Sequence, residues 1–379
     1  MEAELKILFD KFKKAAQEMA GYPLNQLFDY SELAPFYNFH INNLGDPFVG
    51  GFYYKINTHE IERKVICRFA ELFHAPKDNF WGYVTTGGSE GNFYGLYVAR
   101  ELYPESTVFY SDQTHYSIPK SLRILRMNSI EVKSQKNGEI DYTSLEKALA
   151  TLKTPPIILA NIGTTMKGAV DDVLKIKKIF KKLGIEKYYI HCDAAFFGMI
   201  LPFYTEVECN HYDFRAGIDS IAISGHKMIG TPYPCGVVLA KKSNLHSLET
   251  RIEYTNSNDN TITGSRNGLS PLFLWHELQH AKEKKMLKKV KQSIDLAEYT
   301  VQAFMKKKIK AWRNPNSIIV VFPKPSEKTI RKWQLAVQES IAHVITLSHI
   351  SESIIDKIVQ NVAHDLKKGV KSETNTLLP

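Results

Sequence analysis

Cysteine is scarce in this chain: Cys67, Cys192, Cys209 and Cys235 are the four thiols among 379 residues. They lie far apart and form no Cys-x-x-Cys pair, which argues against a disulfide framework and against a zinc site; reduced core thiols and no metal are expected. Long apolar runs are missing too. Lys6, Asp10, Lys11, Lys13 and Lys14 punctuate the first twenty residues, which excludes a signal peptide or a membrane span there and predicts a cytoplasmic protein with no membrane partner. No internal repeat and no Walker-type phosphate loop occurs. The run Gly87-Gly88-Ser89-Glu90-Gly91 does not satisfy G-x-G-x-x-G, so nothing specific supports a dinucleotide site.

What is present begins with charge. The formal net charge is +9, yet the lysines sit on helical patterns such as 173–183, where Ile176, Ile179, Phe180 and Leu183 fall on one face. Those lysines form a solvated outer face, and nucleic acid is not an expected partner. A positive field does favour an anionic cofactor.

The chain divides by pattern into three parts. Residues 1–55 hold an amphipathic helix (Leu5, Leu8, Phe9, Phe12, Ala16, Met19) and an irregular, aromatic segment, fit to line a site or clasp a second subunit. From 56 to 270, short apolar runs at 107–110, 156–160, 188–192, 220–224 and 237–240 alternate with amphipathic stretches. That alternation predicts an α/β domain with a mainly parallel central sheet covered by helices, its functional loops at the carboxyl ends of the strands. Residues 271–379 read as a long helix to about Lys307, then a small C-terminal α+β domain with a strand at 317–322, a helix at 354–366 and a polar, frayed tail from Lys367.

The segments carrying chemistry follow those strands. Thr85 to Asn92 precedes a helical run; its glycines, hydroxyls and helix N-terminus can cradle a phosphate, although an ordinary glycine-rich turn has the same composition. Ile190-His191-Cys192-Asp193-Ala194-Ala195 is an apolar strand ending in an acid. A carboxylate there needs a partner, either a structural ion pair or a cation such as a protonated pyridine. At ~4 Å and an effective dielectric near ~20 such an attraction is worth roughly 4 kcal/mol, about three pKa units. One strand later, Ser224-Gly225-His226-Lys227 places a lysine where its amine can be desolvated and attack an aldehyde, a position unlike that of most surface lysines. His115, after another strand, can stack on a ring or be an ordinary loop histidine. Asn161 to Thr165, with Asp171 beyond, offers hydroxyls at a further strand end.

Taken in this order, the residues resemble the group II pyridoxal-phosphate-dependent decarboxylases of fold type I, and in particular bacterial histidine decarboxylases and their plant serine decarboxylase relatives. The resemblance spans nearly the whole chain, including Ile41 to Asp46, Trp81 to Thr85, Gly138 to Tyr142, Ser224 to Gly230 and Gly264 to Gly268. It implies the fold type I transferase-like architecture, with pyridoxal 5′-phosphate bound by Lys227, Asp193 at the ring nitrogen and His115 against both ring and substrate. It further implies Gly88 and Ser89 at the phosphate with Ser224 and His226 nearby, Thr165 near the ring hydroxyl and Tyr254 on a mobile loop as a proton donor, while the small Ala195 leaves room for a flat ring. A homodimer is implied, with Thr261 to Asn267 reaching the neighbouring site. The implied reaction is decarboxylation of a small L-amino acid, histidine first and serine second, with an aminotransferase-type reaction as a further alternative. Leu269 and the run Ala195-Phe196-Phe197-Gly198 depart from the pattern of the relatives and bear on the substrate, not on the cofactor.

Overall fold

The computed structural model describes residues 2–50, 52–204, 211–245, 248, 250–253 and 256–375. Tyr254 and Cys209 lie outside them. The chain separates into two compact units, one formed by Phe28–Thr165 and Ala169–Met286, the other by Met1–Leu27, Met166–Gly168 and Leu287–Pro379.

In chain order, helices α1 (Ala3–Gln17), α2 (His59–Leu72), α3 (Gly88–Leu102), α4 (Ser117–Leu125), α5 (Tyr142–Leu149) and α6 (Val173–Leu183) precede α7 (Leu269–Leu278), α8 (Glu283–Lys306), α9 (Glu327–Trp333) and α10 (Glu352–Asn375). The larger unit is built on strands β1 (Trp81–Thr85), β2 (Thr107–Ser111), β3 (Asn128–Val132), β4 (Ile157–Asn161), β5 (Tyr189–Asp193), β6 (Ser220–Ser224) and β7 (Gly236–Ala240). They form one seven-stranded sheet in the order β1-β7-β6-β5-β4-β2-β3. All its strands run the same way except β7, which pairs antiparallel with both β1 and β6. Every residue of β4, β5, β6 and β7 is buried, as a sheet covered on both faces requires.

Local chemistry explains the boundaries. Helix α6 starts where the Asp172 carboxylate accepts the N–H groups of Leu174 and Lys175, and stops at Gly184, whose φ of 68° suits glycine. The edge strand β3 is almost wholly exposed, its residues Asn128 to Glu131 facing solvent, so it carries no apolar alternation. The expected long helix after residue 271 is two helices. Gln279, at φ −54° and ψ 142°, leaves the helical region and separates α7 from α8. Helix α10 continues past Lys367 to Asn375.

Non-local pairing organises the segment before α2. Asn42–Leu44 lies antiparallel to Ser265–Asn267. Beside it the buried Glu62 carboxylate binds the Arg266 guanidinium and accepts from Asn43 Nδ2 at 2.7 Å and from Val84 N at 2.8 Å. Asp46 accepts from Trp81 Nε1 at 2.8 Å and from Asn260 Nδ2 at 3.1 Å. Of the thiols, Cys192 and Cys235 are buried, but Cys67 is exposed. The α2 face that packs inward carries Glu62, Val65, Ile66 and Phe69, and Cys67 is not on it.

The smaller unit holds the antiparallel strands β8 (Ile319–Pro323), β9 (Ala336–Gln338) and β10 (Ile341–Ile345), ordered β8-β10-β9. Its core gathers Phe304, Phe322, Val344, Ile355 and Ile358. Helix α1 buries none of its residues; Leu5, Ile7, Phe9 and Phe12 are each more than half exposed.

Candidate active site

The carboxyl ends of β1, β2, β4, β5 and β6 lie along one edge of the sheet, and the residues singled out above follow them. Strand β5 ends in Asp193, whose side chain is 8% exposed. With period-two alternation His191 and Asp193 point to one face, toward α3. There Asn92 Nδ2 donates to Asp193 Oδ2 at 2.8 Å, and the Ala195 amide donates to Oδ1 at 3.0 Å. Both donors are neutral, so neither brings a countercharge to the carboxylate.

Lys227 lies three residues beyond the end of β6, in the turn that leads to β7. That turn is fastened by Gly225 N donating to Cys235 O at 2.8 Å, by His226 Nδ1 at 2.9 Å from the same carbonyl, and by Tyr30 OH donating to Gly230 O at 3.0 Å. Burial pushes the Lys227 amine below its ordinary pKa while the Asp193 carboxylate opposes that shift. His115, between β2 and α4, is pushed down by burial, pulled up by Asp193 and pushed down again by Lys227. Amine, acid and imidazole therefore share one electrostatic neighbourhood. The Ser117 amide lies 3.3 Å and its hydroxyl 2.8 Å from His115 Nδ1, so Ser117 holds that edge of the ring.

The start of α3 completes the arrangement. Gly87 has φ 151°, and a Cβ on Gly88 would stand 2.6 Å from Ser224 Oγ and 3.0 Å from the Ala195 Cβ. Only glycine lets the helix N-terminus come this close to the end of β6. A Cβ on Gly87 would stand 3.6 Å from the His226 ring, so Gly87, Gly88, Ser224, Ala195 and His226 converge. Glu90 closes the first turn, accepting from the Thr86 amide and hydroxyl, both at 2.7 Å, and from Tyr83 OH at 2.9 Å. Ser89 is exposed, beside a groove of about 270 Å³ between α3 and α4 whose wall includes Lys120. Thr165 is exposed just past β4; its neighbour Thr164 is buried and accepts the Ala169 amide at 3.0 Å. Segment 265–267 pairs within its own chain, against residues 42–44.

Sequence reasoning missed the work of Asn92, Ser220 and the ring of His191. Asn92 joins His191 to Asp193, and Ser220 lies in register with His191 on the neighbouring strand. The spacing of Gly88, Gly91, Asn92 and Gly95 along one side of a helix was the available signal, since small residues at that period mark a backbone pressed against its neighbour.

A flat, anionic aldehyde of the pyridoxal phosphate type fits this set. Gly88 opens a side-chain-free cradle, Lys227 supplies a desolvated amine, and Asp193 is held by neutral donors. Together with the sheet order, these features define a fold type I pyridoxal-phosphate enzyme as the class. Residues 50–311 match the profile of the pyridoxal-dependent decarboxylase conserved domain. The chain is 47% identical to a histidine decarboxylase of Morganella morganii over 351 residues, covering 91% of this chain and 92% of that one. It is 46% identical to a histidine decarboxylase of Vibrio anguillarum, covering 91% and 90%. Among solved structures, L-methionine decarboxylase from Streptomyces sp. 590 superposes with a TM-score of 0.87 at 26% identity, covering 96% of this chain and 95% of that one. The chain belongs to the pyridoxal-dependent decarboxylase family, and is a pyridoxal-phosphate-dependent carboxy-lyase.

Proposed function

We propose that this chain decarboxylates L-histidine to histamine and carbon dioxide. The supporting observation is the 47% identity to the Morganella morganii histidine decarboxylase over nearly the full length of both chains. Pyridoxal phosphate, when bound, supplies an electron sink for the pair released as the Cα–carboxylate bond breaks. In this proposal Lys227 would hold the cofactor through its amine, Asp193 would keep a proton on the ring nitrogen, and His115 would lie against the ring and the substrate. Gly88, Ser89, Ser224 and His226 take the phosphate, Ala195 leaves room for the ring, and Thr165 serves the ring hydroxyl. Tyr254 as proton donor belongs to the same proposal, on a residue outside those described.

The protein works as a homodimer in this reading. A second copy is the occupant that suits the uncovered apolar face of α1, where Leu5, Leu8, Phe9 and Phe12 lie 43–61% exposed. A cytoplasmic location is part of the proposal. No helix among the described residues is long and apolar enough to cross a membrane.

Carbon dioxide release measured across the standard amino acids tests the substrate. Histidine is expected to give the highest kcat/KM. Preference for serine, or for methionine as in the Streptomyces enzyme, overturns that assignment. Keto-acid formation in place of carbon dioxide overturns the reaction type.

A further inference from the structure

Behind Asp193 runs a chain of hydrogen bonds with a fixed direction. Tyr189 OH donates to Ser220 Oγ at 2.9 Å, Ser220 Oγ stands 2.7 Å from His191 Nδ1, His191 Nε2 stands 2.9 Å from Asn92 Oδ1, and Asn92 Nδ2 donates to Asp193 Oδ2 at 2.8 Å. Tyr189, Ser220, His191 and Asn92 are each no more than 2% exposed, so water does not complete any of these bonds.

The direction follows from the acid. An ionised carboxylate only accepts, so Asn92 must present its NH₂ group to Asp193 and its carbonyl to His191. His191 must then carry its proton on Nε2, which leaves Nδ1 as an acceptor for the single proton of Ser220. Ser220, having given that proton away, accepts from Tyr189. The opposite tautomer would turn the Asn92 carbonyl onto the carboxylate, acceptor against acceptor, where both residues are buried. Burial keeps the ring neutral, pushing the His191 pKa down to about 4.

We propose that Asn92, His191 and Ser220 are positioning residues for the reaction: a one-way relay of neutral donors that fixes the plane of the Asp193 carboxylate while leaving its charge for the cofactor ring. The proposal rests on the role given to Asp193 above. A cation in place of Asn92 would hold the acid equally well but would compete with the ring nitrogen for it. A neutral amide does not compete.

Long-range ¹⁵N–¹H correlation of the histidine side chains in the holoenzyme reads the relay directly, with the His191 signal assigned by its loss in His191→Gln. Nε2–H with a bare Nδ1 at pH 7 is expected; an Nδ1–H tautomer or a doubly protonated ring overturns the proposal, whatever the substrate proves to be. Asn92→Ala is expected to lower kcat about ten- to a hundredfold, as loss of a bond to a charged group does, with KM and the dissociation constant for pyridoxal phosphate changed by less than about threefold. Ser220→Ala does not touch Asp193, yet is expected to lower kcat by about three- to tenfold with the same pattern. A Ser220→Ala enzyme with unchanged kcat, or an Asn92→Ala enzyme that loses cofactor affinity as steeply as turnover, overturns the relay. These ratios are measured with whichever amino acid is decarboxylated, so a failure of the histidine assignment stays separate.

Discussion

Replacing Gly95 by alanine adds one methyl group, and the structure turns the usual consequence around. In an ordinary helix the change from glycine to alanine stabilises by about 1 kcal/mol. Here the new Cβ would stand 2.2 Å from His191 Nδ1 and 2.4 Å from Cε1, more than about 1 Å inside normal van der Waals contact. The ring has nowhere to go, since Ser220 holds one nitrogen and Asn92 the other. Helix α3 must therefore lift, and it carries both Asn92 and the glycine cradle. Overpacking of this kind costs about 3 kcal/mol at the upper end of its usual range. Net of the helix gain, a loss of about 2 kcal/mol and a Tm lowered by roughly 4 °C are expected. A shift of about 1 Å at the acid's support is enough to slow turnover roughly a hundredfold. Differential scanning calorimetry and carbon dioxide release check the two numbers. Gly50→Ala, whose Cβ meets nothing within 4 Å, is the control and is expected to stay within about 0.5 kcal/mol of the parent. A Gly95→Ala protein as stable as the parent with unchanged turnover refutes the reasoning.

Asp193→Asn removes the charge while keeping the shape. We expect kcat to fall by about three decades, from roughly 4 kcal/mol of lost attraction, with a much smaller change in cofactor affinity by titration; equal losses would contradict the role. Glu62→Gln leaves the Arg266 guanidinium without its carboxylate in a buried site and is expected to cost about 3–5 kcal/mol in urea unfolding. Burial lowers the His191 pKa to about 4 in the folded chain, against an ordinary value of 6.5. This depressed pKa makes its contribution complete above pH 6.5 and lost as pH falls toward 4, about 3 kcal/mol in all. Buried Asp171, raised from 3.8 to about 6, acts in the opposite sense over nearly the same window. The His191→Gln deficit in unfolding free energy isolates the histidine: it is expected to shrink by about 2 kcal/mol between about pH 7.5 and pH 5.

Much of this could be seen in the sequence because it rests on short-range pattern. The buried strands β4 to β7 are mostly apolar, and the polar residues at their ends, with His191 inside β5, stand out as exceptions. Strand β3 escaped notice because an exposed edge needs no apolar face. Strand β1, Trp81 to Thr85, carries a glycine near its start, where a Cβ would meet the Val238 carbonyl at 2.2 Å, and its partner β7 lies far along the chain. The pairing of 42–44 with 265–267 is equally non-local. Lys227, Asp193 and His115 stand out as a set since each lies at or just past the carboxyl end of a strand. Asn92 does not, because its meaning depends on helix α3 lying over β5, and no single stretch of sequence states that contact.

The turn bearing Lys227 joins two strands that are hydrogen-bonded neighbours, β6 and β7, where most other connections in this sheet cross over through a helix. Its ends are tied by the sheet itself, Cys235 closes its base against Gly225 and His226, and Tyr30 holds Gly230 in its interior. A loop closed so tightly loses little further entropy when its amine is put in place. The Lys227 amine is thereby anchored through the sheet, and its distance from the acid one strand over does not depend on the outer helices.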